Sequence, residues 1–152
     1  MIDTVTFPEL TVIGCMVEAS REDLPAAVAA AWERVFAADV GTAAFAAVSL
    51  PEENGQERRL VGFMAARASE IPDGMVRVDL DAGRYLRTAQ DGPQAAIADG
   101  FARLHAHAAA NGMKLSGIAL DFGYRPRQPH PGQAGGRHEL HLALAPQLPA
   151  LG

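Results

Sequence analysis

The sequence predicts an α+β fold in which duplicated βαββ units form a curved antiparallel sheet system, with two helices on one face and the other face open. Three observations carry this reading. Two stretches have apolar residues at helical spacing; each follows a strand-like run and precedes two more; and the halves align without gaps at an offset of 69. That offset places Gly14 on Gly83, Val28 on Ile97, Trp32 on Phe101 and Val35 on Leu104. One helix and three strands leave a sheet face open, so the halves (about 1–70 and 71–152) are expected to share one sheet system in a single domain, 1–152.

Taken in order, Glu9 to Ala19 is rich in β-branched and apolar residues and reads as a strand. Leu24, Val28, Trp32 and Val35 then mark one face of a helix, with Ser20 to Asp23 supplying N-terminal cap chemistry. Thr42 to Leu50 and Arg59 to Ala66 are two further strands, joined through Asn54-Gly55, a pair that accepts the positive φ angles of a hairpin turn. In the second half, Met75 to Thr88 opens with strict alternation, Val76, Val78 and Leu80 against Arg77, Asp79 and Asp81, and reads as one strand. The second helix follows Asp91-Gly92-Pro93, carries Ile97, Phe101, Leu104 and Ala108 on one face, and stops at Asn111-Gly112. Ser116 to Tyr124 and Arg137 to Leu144 close the set. The Pro-, Gly- and Gln-rich stretch Arg125 to Arg137 between them is too long for a tight hairpin and reads as a flap or loose loop.

Composition narrows the function classes. The 13 Lys+Arg against 18 Asp+Glu, net charge −5, leave no basic stripe to displace counterions from a phosphate backbone, so no direct nucleic acid binding is expected. Cys15 is the single cysteine, which excludes an internal disulfide and a thiolate metal cage. His105 and His107 lie about 200° apart around a helix axis and cannot share an ion. His138 and His141 are three apart on a strand and face opposite ways, so no metal and no cofactor are expected. No basic stretch followed by an apolar run opens the chain and no segment has a membrane-spanning length, which predicts a cytoplasmic protein without membrane contact.

Four stretches give the chain a resemblance. VIGCMV, AAAWERVF, the run from IPDGMVRVDLDAGRYLRT through the second helix to NGM, and RHELHLAL resemble the strands and helices of the GyrI-like family, the AraC effector-binding domain of the SHS2-type superfamily, here in stand-alone form. The likeness spans nearly the whole chain. It departs at His141, where the family commonly has tyrosine, and at Ala143, where it commonly has proline. The resemblance implies small-molecule, multidrug-type binding in a groove reached by an acidic side chain on the last strand. Alternation supplies the face: Leu140, Leu142 and Leu144 toward the helices, Glu139, His141 and Ala143 away from them.

The expected ligand-binding residues are therefore Glu139 and His141, with Tyr85, Trp32, Phe63, Phe122 and Tyr124 as aromatic walls. A carboxylate in an apolar groove is costly unless a cation compensates, and aromatic faces add cation–π attraction of about 0.5–2 kcal/mol each. The ligand expected on this basis is a hydrophobic, cationic or aromatic small molecule, bound for sensing, sequestration or toxin resistance. The alternative is a hydrolase of electrophilic cyclopropanoid-type toxins, with Glu139 as its catalytic residue. A third reading, binding to a protein partner such as DNA gyrase, finds no dense carboxylate tract to support it.

Overall fold

The computed structural model describes residues 1–38, 44–91, 94–123 and 137–146. They form β1 (Asp3–Phe7), β2 (Leu10–Ala19), α1 (Leu24–Ala37), β3 (Phe45–Glu53), β4 (Gln56–Ala65), β5 (Val76–Leu80), β6 (Gly83–Asp91), α2 (Gln94–Ala110), β7 (Leu115–Phe122) and β8 (Arg137–Leu144). All eight strands belong to one antiparallel sheet in the order β1-β6-β8-β7-β3-β4-β2-β5, open at β1 and β5. The α+β sheet with two helices on one face is thus present, and β2-α1-β3-β4 is followed by β6-α2-β7-β8.

Local chemistry explains most boundaries. Asn54 and Gly55 both take positive φ, 54° and 76°, as the two-residue β3–β4 hairpin demands. Gly112 at φ 64° ends α2, and the Met113 amide returns to the Ala108 carbonyl. At the start of α1, Asp23 makes no side-chain cap bond; its own amide donates instead to the Ser20 carbonyl and hydroxyl.

Two expectations are corrected. Met75 to Thr88 is two strands, because the chain reverses at Asp81 and Ala82 and sends β5 to the edge beside β2 while β6 pairs with β8 and β1. Asp3–Phe7, unassigned from sequence, is a strand as well. The lead-in strands are exchanged: β1 precedes β2 but pairs with β6, and β5 precedes β6 but pairs with β2.

The registers also fix how the halves correspond. A shift of 73 carries β1 onto β5 and β2 onto β6 with every pairing kept, so Asp3↔Arg87 becomes Val76↔Gly14 and Phe7↔Gly83 becomes Leu80↔Leu10. For β2 and β6 this differs by four from the 69 of the sequence alignment. Four residues are about one helical turn and an even step along a strand, so that slip leaves each apolar stripe in phase and each strand residue on its own face.

Three apolar clusters fill the molecule. Leu24, Ala31, Trp32 and Val35 of α1 pack on Ile13, Cys15, Val17, Phe45, Ala47, Val61 and Phe63. Ile97, Leu104 and Ala108 of α2 pack on Leu86, Leu140 and Leu142, the leucine face expected of the last strand. The third cluster, on the helix-free face, is built from strand residues alone, including Val12, Val48, Leu60, Leu80, Tyr85 and Leu120. Sheet curvature brings these side chains together without a covering helix.

Candidate functional site

Strand pairing lays the helix-free face out in rows. One row runs Met16, Leu60, Val48, Leu120, His141, Arg87, Asp3; the next runs Val76, Gly14, Gly62, Ala46, Phe122, Glu139, Ala89. With Gly14 placed on Arg87, strand pairing sets Gly62, opposite Gly14, in correspondence with His141, opposite Arg87. The two halves therefore differ most where they correspond. A Cβ at Gly14 would lie 2.1 Å from the Val61 carbonyl oxygen, so the close strand approach there admits no side chain. The aromatic groups of this face, Phe7, Tyr85 and Phe122, gather around β6 and β8, whereas the other half carries the Glu18–Arg58 ion pair at its end.

His141 is the centre of that side. It is 1% exposed, and neither ring nitrogen has a hydrogen-bond partner among the described residues. Phe7 and Phe122 each place a ring centroid 5.2 Å from the imidazole, and Tyr85 lies edge-on at 6.2 Å. Phe7 also meets Tyr85 at 5.1 Å, so the exchanged strand β1 supplies one wall of the cluster. Burial, helped by the Arg87 guanidinium, pushes the His141 imidazole down to about 4, while the Glu139 and Leu120 backbone pulls weakly the other way. The ring is neutral at physiological pH.

Two hollows flank the cluster. At one end, Leu80, Tyr85, Ile118 and Ala143 line a cavity of about 310 Å³ with Asp81 and Arg84 at its mouth. Burial, then the Asp81 charge, raises the Tyr85 phenol above its usual range and keeps the hydroxyl protonated. At the other end, Asp3, Arg87, Arg137 and Glu139 line a shallower hollow of about 200 Å³. Arg87 donates there to both Asp3 carboxylate oxygens, at 3.1 and 2.7 Å, which holds the Asp3 carboxyl below its usual range and raises the guanidinium.

The expected site residues divide accordingly. Tyr85, His141 and Phe122 come together on the helix-free face, and Glu139 stands exposed at the rim beside two arginines. Trp32 and Phe63 do not join them. Both are buried under α1 on the opposite side of the sheet, so packing replaces the groove role given to them. Tyr124 lies outside the described residues, as does the segment from Arg125 to Gly136. Phe7 was missed because its short strand carries too few apolar residues for a periodic signal.

His138 and Asp121 form a further pair on the helix-facing side, with Nδ1 and Oδ1 2.7 Å apart and both residues buried. They come from different strands, so no sequence spacing announces them. Among the described residues no group of three or more His, Cys, Asp or Glu could hold a metal ion, and no helix is long and apolar enough to cross a membrane.

No family model matches the sequence, and no curated protein does. Solved structures do match in fold. SAV2435 bound to tetraphenylphosphonium is similar at a TM-score of 0.71 and 13% identity, over 95% of this chain and 94% of that one. The EcmrR C-terminal domain gives 0.67 and 10%, over 95% and 97%. A hydrolase encoded by lin2189 from Listeria innocua gives 0.58 and 8%, over 95% and 91%. Across 95% of its length, the chain shares the fold of SAV2435 and of the EcmrR C-terminal domain.

Proposed function

We propose that this protein binds hydrophobic aromatic small molecules, lipophilic cations among them, on the helix-free face, entering through the cavity floored by Tyr85. The observation that carries the reading is His141, a neutral imidazole buried among Phe7, Tyr85 and Phe122 with no hydrogen-bond partner at either ring nitrogen among the described residues. A buried polar group without a hydrogen bond costs about 1–3 kcal/mol. Such a cost in an otherwise apolar cluster is characteristic of binding sites, where polar groups are few and placed to meet a ligand. The tetraphenylphosphonium complex of a protein with the same fold supports the ligand class.

Glu139 acts at the rim. It is exposed and shares its hollow with Arg87 and Arg137, so solvent and the two guanidinium groups reduce its pull on a cation to about that of a surface ion pair, about 0–1 kcal/mol. The aromatic cluster supplies most of the affinity, and Glu139 supplies a charge preference of a few-fold. A hydrolytic role for Glu139 lacks a competent neighbouring base, because an imidazole held near 4 is a weak proton acceptor at neutral pH.

Calorimetric titration with tetraphenylphosphonium and with neutral triphenylphosphine oxide tests the reading. Both are expected to bind, Tyr85→Ala to weaken both at least about tenfold, and Glu139→Gln to weaken the cation alone. Absence of binding by either compound, or unchanged affinity in Tyr85→Ala, overturns the proposal.

A further inference from the structure

The helix-facing side of the sheet is covered unevenly. α1 lies mainly over β2 and β4, reaching β3 at Phe45, and α2 lies mainly over β6 and β8. Between them the sheet presents several small residues to the helix side, Ala47 and Ser49 from β3 and Gly117 and Ala119 from β7. A cleft of about 370 Å³ results, walled by Ile97 and Phe101 of α2 and by Leu142. Its size falls within the ordinary range for small-molecule sites, about 300–1,000 Å³. It lies on the opposite side of the sheet from the His141 cluster.

The charge in this cleft belongs to Arg59. Pairing across the sheet sets Arg59, Ser49, Ala119 and Leu142 in one row, and Arg59 lines the cleft with the other three. Its Nε is buried and has no hydrogen-bond partner, and Arg59 makes no ion pair among the described residues. Arg21, Arg58, Arg67, Arg77 and Arg87 each have a carboxylate partner. The Asp121 carboxylate that also lines the cleft is engaged by His138 at 2.7 Å. His105 stands on α2 at the rim and adds a second nitrogen donor.

We infer that the helix-facing cleft is a second ligand site, for a small amphipathic monocarboxylate. Arg59 takes the carboxylate as a charge-assisted, fork-like pair, which satisfies the buried Nε. The apolar body of the ligand lies over Ala119 against Ile97, Phe101 and Leu142 and covers the gap between the helices. The small residues of β3 and β7 and the lack of a counter-ion for Arg59 among the described residues are then two aspects of one site.

Octanoate and octanamide, identical except for the charged head, test this by NMR titration and calorimetry on the whole chain. Octanoate is expected to bind at least about tenfold more tightly than octanamide, with shifts concentrated at Ala98, Phe101 and Ala119. Arg59→Gln should remove that ratio and leave octanamide unchanged, while Arg59→Lys should retain part of it. Ala119→Leu, which fills the floor, should abolish both while leaving tetraphenylphosphonium binding intact. Equal affinity of the two probes for the unmodified protein, shifts confined to Tyr85 and His141, or a ratio that survives Arg59→Gln would overturn the inference. Because the two sites lie on opposite faces, failure here leaves the aromatic site standing, and failure of tetraphenylphosphonium to bind leaves this one standing.

Discussion

Replacing His141 by leucine should change the pH dependence of stability by an amount set by the structure. The imidazole falls from its ordinary 6.5 to about 4 on folding, so the unfolded chain takes up a proton between these values that the folded protein refuses. Stability is therefore fully present above about pH 6.5, falls as pH is lowered toward 4, and levels off below. At about 1.4 kcal/mol per pH unit, the loss is about 2 kcal/mol at pH 5 and about 3 kcal/mol at pH 4. A leucine side chain titrates nowhere and fits a side that already holds Leu120 and Phe122. The substitution also removes two ring nitrogens that lack partners among the described residues, so the variant should exceed the parent by about 1–3 kcal/mol at pH 7. Urea denaturation of both proteins at pH 7.5, 6, 5 and 4.5 gives the difference directly. Asp3, whose carboxyl is lowered by Arg87, also weakens the fold in acid, but it is present in both proteins and largely cancels. Parallel stability curves from pH 7.5 to 4.5 would refute the burial argument for His141.

Other perturbations follow from the same geometry. Gly14→Ala and Gly62→Ala place a Cβ about 2 Å from a backbone carbonyl across the strand pair and should each cost at least about 1–3 kcal/mol, read as a lower urea midpoint; unchanged midpoints would mean that the strands separate freely. Trp32→Ala should cost about 3–5 kcal/mol through a cavity under α1, yet leave tetraphenylphosphonium affinity of the folded fraction unaltered. Arg87→Ala breaks two hydrogen bonds to an exposed Asp3 and should lower the urea midpoint only slightly. A larger loss would show that Arg87 orders β1 and, with it, Phe7.

The sequence made the helix stripes, the Asn54-Gly55 hairpin, the Gly112 stop and the facing of β8 legible, because each depends on local periodicity or on one backbone preference. The exchange of β1 and β5 was not legible. Which edge a five-residue strand joins is decided by partners 62 to 84 residues away, and nothing in DTVTF or VRVDL names them. The slip of four residues in the repeat had the same origin: helical and strand periods both tolerate it, and only pairing across the sheet can set the register. His141 could be assigned to the helix-free face because alternation gives the face once the strand is known, whereas Tyr85 was singled out by the resemblance. Trp32 and Phe63 were misplaced because aromatic character says nothing about which face of a sheet a residue occupies.

The corrected register changes what the internal repeat means for the site. At 69, Gly14 falls on Gly83, and the halves look alike at their glycines. By strand pairing, Gly14 opposite Gly62 corresponds to Arg87 opposite His141, so the row that carries a guanidinium and an imidazole in one half carries two glycines in the other. Neither glycine can acquire a side chain, since a Cβ would lie about 2 Å from a backbone carbonyl oxygen, and the opposite half holds its imidazole without a hydrogen bond among the described residues. A ligand reading this face meets one set of polar and aromatic groups rather than two related sets. One molecule per chain is therefore the expected stoichiometry for tetraphenylphosphonium, and a calorimetric endpoint near two would require that the Gly14–Gly62 side also binds, contrary to its geometry.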